Sequence, residues 1–569
     1  MKNIALRRRG LFLIICFPQI LFSQFAVNQT PTYPKLVHFY DSLAKKGQIE
    51  LYNMGNSDYG LPIYLCVLNG ENDSIKTFQN FKNQTAILIN NGIHPGEPDG
   101  INACGKITLD YVKKDLKFDK NVSFSFILCY NVDGMMNRST SSRANQNGPE
   151  EYGFRGNAQN LDLNRDFIKM DSENAFTFVK IFQAINPDIF IDTHVSNGAD
   201  YQYTLTLIHS LKERLEPAYR TLTYKHFIPD LELAMQKHSV DLFPYVESLE
   251  EIPDKGIVAF NDLPRYANGY ASLFSCISVT TETHMLKPFP QRVEATYLYL
   301  KELANWSKKN HKTIKNVRRL ALESLEKDKF HSYNYKLTEQ KDSILFKGFE
   351  HDYKKSTVTG LDRLFYDRAK PFERYIPHYK TYKTSDSTKI PSFYILSSQC
   401  KDVVLRLKQN QVEMKEIRHD SLVNLTFFRV RNYKSGTKPY EGHFLHSAME
   451  IEEQEGKIQL KKGDFLISTK QAKKKFICSV LEPETEDSYF AWNFFDSYLQ
   501  EKEYFSDYVF EDLAVKILEQ SSELRSLFEE KKKNDAKFAS NQWEQLYFIY
   551  QNSQYFEASF MRLPVFKVY

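Results

Sequence analysis

Short apolar runs alternate with amphipathic stretches between residues 60 and 310. The strand-like runs are residues 63–68, 86–90, 123–130, 188–192 and 276–280. Between them, apolar residues recur at helical spacing, first at Ile101, Cys104, Ile107 and Tyr111 and later at Phe176, Val179, Phe182 and Ile185. Strands separated by helices predict an α/β domain, with a mixed, largely parallel central sheet flanked by helices.

The pattern changes after about residue 330. Residues 298–325 read as a helix that closes the first domain, and short mixed runs with turn signals follow at 432–438, 455–457 and 462–464. They predict a smaller mixed α/β domain that ends in an aromatic-rich helical tail, residues 489–510 and then 512–533. The predicted domains are therefore 24–320 and 321–569. We interpret the aromatic cluster of the tail as core packing rather than a saccharide or peptide platform: Tyr489, Phe490, Trp492, Phe494, Phe495 and Tyr498.

The first 23 residues have a different character. Arginines at positions 7–9 precede an apolar stretch at 11–17, and a small residue, Ser23, precedes polar Gln24. This order is typical of a secretory signal peptide cleaved near Ser23. Because the apolar stretch is short and Pro18 interrupts it, a membrane anchor is disfavoured. We expect a secreted or periplasmic protein without a stable membrane anchor after cleavage.

The composition mainly argues against certain partners and types of metal site. The 569 residues carry a net charge of only +4, which gives no indication of a nucleic-acid partner. Seven cysteines are scattered without any C-x-x-C pair, which argues against a thiolate zinc site. One or two disulfides and buried thiols remain equal alternatives for them. The sequence leaves the oligomeric state open.

Polar side chains stand at the ends of the predicted strands. His94 and Glu97 follow the run 86–90, in a loop because Pro95 and Gly96 separate them. His194 and Glu282 close two later runs. Ligands of open α/β sheets bind at the carboxyl ends of the strands, so the four residues should converge. Taken singly, His194 could be a core histidine and Glu282 a surface carboxylate.

The order of these motifs resembles the M14 zinc carboxypeptidases over about residues 35–310. The family's H-x-x-E motif matches His94-Pro95-Gly96-Glu97, and its Asn-Pro-Asp-Gly segment is similar to Asn131-Val132-Asp133-Gly134. Its D-x-N-R motif matches Asp162-Leu163-Asn164-Arg165. The family's second zinc histidine corresponds to His194 and its catalytic glutamate to Glu282.

The resemblance implies one Zn²⁺ per chain, held by His94, Glu97 and His194. Two imidazoles and a carboxylate leave a fourth position, where zinc activates a water. Glu282 would be the general base that accepts the proton of this water. Asp162 would orient His94 as a hydrogen-bond acceptor.

The same resemblance assigns substrate contacts. Asn164 and Arg165 would bind the terminal carboxylate of a peptide, because a guanidinium pairs with a carboxylate through two hydrogen bonds. An arginine should also stabilise the oxyanion. We select Arg143 for this role, and Arg138 and Arg155 are the alternatives.

The family also has a substrate-contacting tyrosine between the second histidine and the glutamate. Tyr266 and Tyr270 are both candidates, and Tyr270 is our selection. The preference for the released residue cannot be read from this stretch. The expected function is an exported zinc metallocarboxypeptidase that acts on peptides with a free C-terminus. The alternatives are a zinc amidase acting on cell-wall peptides or acylated amino acids, and a non-catalytic peptide-binding protein of the same fold.

Overall fold

The computed structural model describes Phe25 and residues 27–569. The predicted signal peptide, residues 1–23, lies outside the described residues. No helix among those described combines the length and the apolar character needed to cross a membrane.

Strands of the N-terminal half build a central sheet. In chain order, the strands of this half are β1 (Glu50–Asn56), β2 (Pro62–Val67), β3 (Thr85–Asn90), β4 (Val122–Ile127), β5 (Ile189–Ser196), β6 (Leu205–His209), β7 (Leu242–Pro244), β8 (Glu247–Ser248), β9 (Ile257–Val258) and β10 (Ile277–His284). Eight of these described strands form one sheet in the order β1-β2-β4-β3-β5-β10-β6-β7. Its centre, β4-β3-β5-β10, is parallel, whereas the pairs β1/β2, β2/β4 and β10/β6 are antiparallel. The predicted mixed, largely parallel sheet is confirmed.

Helices cover the sheet. Those of this half are α1 (Tyr33–Ala44), α2 (Ser74–Asn80), α3 (Asp99–Val112), α4 (Val132–Met136), α5 (Glu173–Ile185), α6 (Pro217–Leu222), α7 (Ile228–Gln236), α8 (Ala267–Ser272) and α9 (Phe289–Lys327). The long α9 packs on α3, and α5 packs beside β1. Most of the apolar residues whose spacing predicted these two helices are buried, whereas Tyr111 and Phe176 are half-buried. The domain boundary predicted at residue 320 lies inside α9.

Two central strands are longer than predicted. The sequence suggested that β5 ends just before His194 and β10 just before Glu282, but β5 continues to Ser196 and β10 to His284. The two strands pair in parallel, with His194 opposite Glu282. Threonines and serines continue each strand, because their side chains are compatible with a buried sheet when hydrogen-bonded. Both functional side chains therefore project from rigid strands rather than from loops.

The C-terminal half adds further sheets. Its strands are β11 (Phe330–Leu337), β12 (Asp342–Lys355), β13 (Asp362–Tyr379), β14 (Tyr382–Lys389), β15 (Phe393–Leu396), β16 (Met414–Glu416), β17 (Ser421–Ser435), β18 (His446–Leu460), β19 (Phe465–Ser468) and β20 (Arg562–Val568). Its helices are α10 (Lys401–Gln409), α11 (Lys474–Leu481), α12 (Asp507–Gln520), α13 (Ser522–Asn534), α14 (Ala536–Ala539) and α15 (Gln542–Gln551). One sheet has the order β16-β19-β15-β20-β17-β18, and another, β12-β13-β9-β8, joins the two halves.

Much of the expected helical tail is present as α12 and α13, but the prediction is wrong in two respects. Residues 489–495 form turns, and a short 3₁₀ helix, Asp496–Leu499, follows them. The chain ends in β20, which is inserted between β15 and β17. The apolar residues near Val565 alternate too weakly to be recognised as a strand without their sheet partners. The aromatic cluster is largely core, as expected, since Tyr489, Phe490 and Trp492 are buried.

The structure also distinguishes between disulfides and buried thiols for the described cysteines. The six cysteines of the described residues are unpaired, and all except half-buried Cys400 are buried. Burial raises the pKa of the Cys400 thiol to about 11, which keeps it protonated near neutral pH. Of the two alternatives, buried thiols are what the fold contains.

Candidate metal centre and cleft

The loop after β3 presents His94 and Glu97 to the carboxyl edge of the sheet. It is closed by a hydrogen bond of 2.8 Å from the Glu97 amide to the His94 carbonyl. Gly96 permits this turn to pack, because a Cβ atom there would lie 2.6 Å from Arg143 Cδ and 3.0 Å from the Gly153 carbonyl oxygen. Both functional side chains are buried. The predicted loop geometry of this motif is therefore present.

Three side chains meet in an arrangement that fits a metal ion. One ligand atom from each of His94, Glu97 and His194 lies within 4.8 Å of the others. His194 Nδ1 is 3.1 Å from Glu97 Oε2. His94 Nδ1 is buried and has no hydrogen-bond partner among the described residues, although it lies 3.4 Å from Glu97 Oε1. An unpartnered buried nitrogen beside a carboxylate fits zinc, which takes exactly such nitrogen and oxygen donors.

The charged groups of this cluster shift one another's pKa values. Burial alone would raise the pKa of Glu97, but Arg143, His94 and His194 together hold it well below its usual value. Burial would lower the pKa of His194, but Asp192 and Glu97 raise it well above its usual value. Glu97 therefore stays an ionised ligand, and a cation can replace the proton of His194.

Glu282 faces the same space from β10. Burial raises its pKa to about 8, the nearby carboxylates Glu97 and Asp192 add to the rise, and His194 opposes it. A cation held by the neighbouring ligands would favour the ionised form of Glu282. A carboxylate that is poised between its two protonation states near neutral pH is suited to accept and release a proton.

The D-x-N-R segment lies directly behind His94. Asp162 Oδ1 is 2.8 Å from His94 Nε2, the ring nitrogen that faces away from Glu97. Burial would raise the pKa of Asp162, but His94, Arg155 and Arg165 hold it below its usual value. Asp162 is therefore close enough to His94 to orient its ring, the role that the family resemblance implies for it.

Asn164 and Arg165 also line the cleft. Asn164 Oδ1 accepts a hydrogen bond of 3.3 Å from the Ala267 amide. Arg165 Nη1 donates to the Asn164 carbonyl at 3.0 Å, and its guanidinium lies 4.6 Å from the ring centre of Tyr266. That bond uses one of five donors, so most of the Arg165 guanidinium is available to a bound carboxylate.

The three candidate arginines differ in their position relative to the cleft and in their hydrogen bonds. Arg138 lies outside the cleft, where Nη2 donates to the Thr30 and Glu151 carbonyls. Arg143 lines the cleft, but Nη1 donates to Glu97 Oε1 at 2.8 Å and Nε to Gln146 at 2.6 Å. Arg155 also lines the cleft, is half-exposed, and has its Nη1 3.6 Å from Glu97 Oε1.

Tyr270, our selection for the substrate-contacting tyrosine, does not line the cleft. Its side chain is fully buried between Phe167, Phe182 and Phe274, and its hydroxyl donates to Asn410 Oδ1 at 2.6 Å. The other candidate, Tyr266, lines the cleft beside Arg165. The reason is that α8 begins at Ala267, so Tyr270 lies one turn further along and points into the core.

We expect Tyr270→Phe to lower the free energy of unfolding by about 1–3 kcal/mol, because Asn410 loses a buried donor. It should leave kcat/KM unchanged, since Tyr270 does not reach the cleft. Denaturant unfolding and steady-state kinetics would measure the two effects. A large change in kcat/KM at unchanged stability would contradict this assignment.

Asp192 is a candidate functional residue that the sequence motifs did not indicate. Its Oδ2 lies 2.7 Å from His194 Nε2, and its Oδ1 accepts from Asn90 Nδ2 at 3.0 Å. Each candidate zinc histidine is therefore held by its own carboxylate. The available signal was the two-residue spacing of Asp192 and His194, which places both on one face of a strand.

Asp192→Ala should weaken zinc binding about 10–100-fold, because the His194 ring loses the acceptor that orients it. Competition with a chelating dye would measure the affinity. Asp192→Asn is the matched variant, and it should lose less because its amide oxygen still accepts a hydrogen bond. Equal affinities for Asp192→Ala and wild type would assign Asp192 a purely structural role.

Comparison with known proteins agrees with the motif analysis. Residues 36–189 match the zinc carboxypeptidase family (Peptidase_M14). A metallo-carboxypeptidase from Burkholderia cenocepacia is similar at 17% identity, over 49% of this chain and 69% of that one, with a TM-score of 0.36. Carboxypeptidase A from Helicoverpa armigera is similar at 14% identity, over 52% and 76%, with a TM-score of 0.37. No curated protein sequence matches. The resemblance to this family is confirmed for residues 36–189.

Proposed function

We propose that this protein is a zinc metallocarboxypeptidase that removes residues from the free C-terminus of a peptide. One observation carries the proposal: His94, Glu97, His194, Glu282 and Arg165 line a single cavity of about 420 Å³. Metal ligands, a candidate proton acceptor and a carboxylate anchor are the parts that this reaction needs. The family match over residues 36–189 supports the same activity.

The residues divide the chemistry between them. Zinc, bound by His94, Glu97 and His194, would act as a Lewis acid on the scissile carbonyl and lower the pKa of a water. Arg165 and Asn164 hold the terminal carboxylate, which fixes the distance between the peptide's end and the bond that is cut. Glu282 takes the proton of the attacking water at its carboxylate oxygen and delivers it to the leaving amine.

For the oxyanion we propose Arg155 in place of Arg143. Arg143 holds the ligand Glu97 and the Gln146 side chain, so turning it to substrate would release a metal ligand. Arg155 is anchored on Asp162 Oδ2, to which Nε donates at 3.0 Å and from which Nη2 lies 2.9 Å. Its Nη1 lies 3.6 Å from Glu97 Oε1, too far for a hydrogen bond, and can donate to a developing negative charge in the cleft. Arg143 then acts by keeping Glu97 in place.

The test is zinc content together with hydrolysis of a mixed peptide library in which each peptide has a free or an amidated C-terminus. We expect about one zinc per chain and stepwise trimming of the free-ended peptides only. Zinc without peptide hydrolysis, but with hydrolysis of acylated amino acids or cell-wall peptides, would favour the zinc amidase. Peptide binding without any hydrolysis would favour the non-catalytic alternative.

Export remains part of the proposal. The charged, apolar and small-residue segments of positions 1–23 support a secreted or periplasmic enzyme. Expression of the full sequence, followed by N-terminal sequencing of the exported protein, would test it. A mature chain that begins just after Ser23 supports export, and an uncleaved cytoplasmic chain contradicts it.

A further inference from the structure

The hairpin of β17 and β18 reaches from the C-terminal half to the back of the metal centre. Residues 440–443, which we name the tip, form a tight turn in which the amides of Tyr440 and His443 donate to each other's carbonyls at 2.7 and 3.0 Å. Its two central residues, Glu441 and Gly442, have φ values of 49° and 82°. Positive φ at both centres is the geometry of a type I′ turn.

Glu441 contacts the D-x-N-R segment directly. Its Oε2 accepts a hydrogen bond of 2.8 Å from the backbone amide of Asp162. Asp162 in turn lies 2.8 Å from His94 Nε2. Asp162 is therefore the single residue that links Glu441 to His94, a candidate zinc ligand that lies far from Glu441 in the chain.

Other residues of the C-terminal half hold the continuation of the same segment. His443 Nε2 lies 2.8 Å from Asp171 Oδ2, and Arg406 Nη2 donates to the Met170 carbonyl at 3.1 Å. The His443 ring also packs at 5.5 Å on Trp492, which is fully buried. The contacts of His443 with Asp171 and Trp492 hold the tip beside the residues that follow the D-x-N-R segment, which supports the hydrogen bond of Glu441 to Asp162.

The backbone of Glu441 is itself informative. A glutamate at φ 49° costs energy that glycine would not, because its Cβ crowds the backbone in the left-handed region. The turn would form more easily with glycine at this position. A strained residue whose carboxylate accepts a hydrogen bond at a functional site suggests that the carboxylate is the feature that matters.

We propose that the C-terminal half acts on the metal centre through the tip, with Glu441 as a positioning residue that fixes Asp162 and thereby the ring of His94. This inference rests on the proposed function, because it assumes that His94 is a zinc ligand. It gives the C-terminal half a role that needs no contact with substrate. The residues that line the cavity all belong to the range 94–285.

The test compares Glu441→Gly with Glu441→Gln. Glycine suits the turn but removes the acceptor, so its melting temperature should equal or exceed that of wild type. Its zinc affinity should fall about 3–10-fold, somewhat less than for direct partners of a ligand, and the Asp162 amide should exchange faster with solvent. Glutamine retains an acceptor oxygen and should stay close to wild type in both measurements.

A matched control is Glu455→Gln, which removes a charge from an exposed position on the same hairpin. It should change neither zinc affinity nor exchange. Wild-type zinc affinity and wild-type exchange in Glu441→Gly would overturn the inference. If the wild-type protein binds no zinc, the proposed function fails first; if it binds zinc and only the variant is unaffected, the inference alone fails.

Discussion

Glu282→Gln should lower kcat about 10²–10⁴-fold while zinc stays bound at the wild-type level, because this is the usual contribution of a general base. Glutamine has nearly the same shape but cannot accept a proton. Glu282 is not one of the three grouped ligands, so its loss should not release the metal. Initial rates of peptide hydrolysis would measure kcat, and metal analysis of the same preparation would measure the zinc content.

Glu232→Gln is the matched control for this variant. Burial raises the pKa of Glu232 as it does that of Glu282, but Glu232 lies on α7 and does not line the cleft. Its substitution should leave kcat unchanged. Activity within a few fold of wild type in Glu282→Gln would exclude Glu282 as the base and would require another proton acceptor in the cleft.

Much of this site could be predicted because its residues follow directly from strand ends and short motifs. His94 and Glu97 belong to one loop, so their proximity is fixed by four residues of sequence. His194 and Glu282 needed only the assumption of a parallel sheet, since register then places them side by side. Parallel strands with ligands at their carboxyl ends are a general property of such sheets, which explains why the prediction could succeed.

What the sequence could not provide were choices between chemically similar residues. Arg143 and Arg155 have the same donors, and only tertiary contacts distinguish them: Arg143 donates to Glu97, whereas Arg155 donates to Asp162. Tyr266 and Tyr270 are four residues apart, and only the start of α8 decides which one faces the cleft. The choice between the tyrosines depends on where a helix begins, a boundary that local sequence specifies weakly.

Contacts between distant parts of the chain could not be predicted from the sequence either. Glu441 meets Asp162 through a tertiary contact between a hairpin turn and a loop. Local sequence can indicate a hairpin turn, but it does not indicate where that turn will dock. The final strand β20 escaped recognition for the same reason, because its partners β15 and β17 lie far back in the chain.

Arg165→Ala should raise KM about 10–10²-fold for peptides with a free C-terminus, because it removes charge-assisted hydrogen bonds worth about 1.5–3 kcal/mol. Every 1.4 kcal/mol corresponds to a tenfold change, which gives this magnitude. The effect on kcat should be smaller, since the zinc ligands and Glu282 remain in place. Initial rates over a range of peptide concentrations would separate the two constants.

The amidated form of the same peptide provides the decisive control. An amide lacks the charge that Arg165 pairs with, so its slow hydrolysis should be little affected by the substitution. Arg165→Lys should recover only part of the lost affinity, because an ammonium keeps the charge but not the two parallel hydrogen bonds of a guanidinium. Equal losses for free and amidated peptides would mean that Arg165 supports the cleft without reading the terminus. In that case the anchor would have to be sought elsewhere in the cleft, and the amidase alternative would gain support.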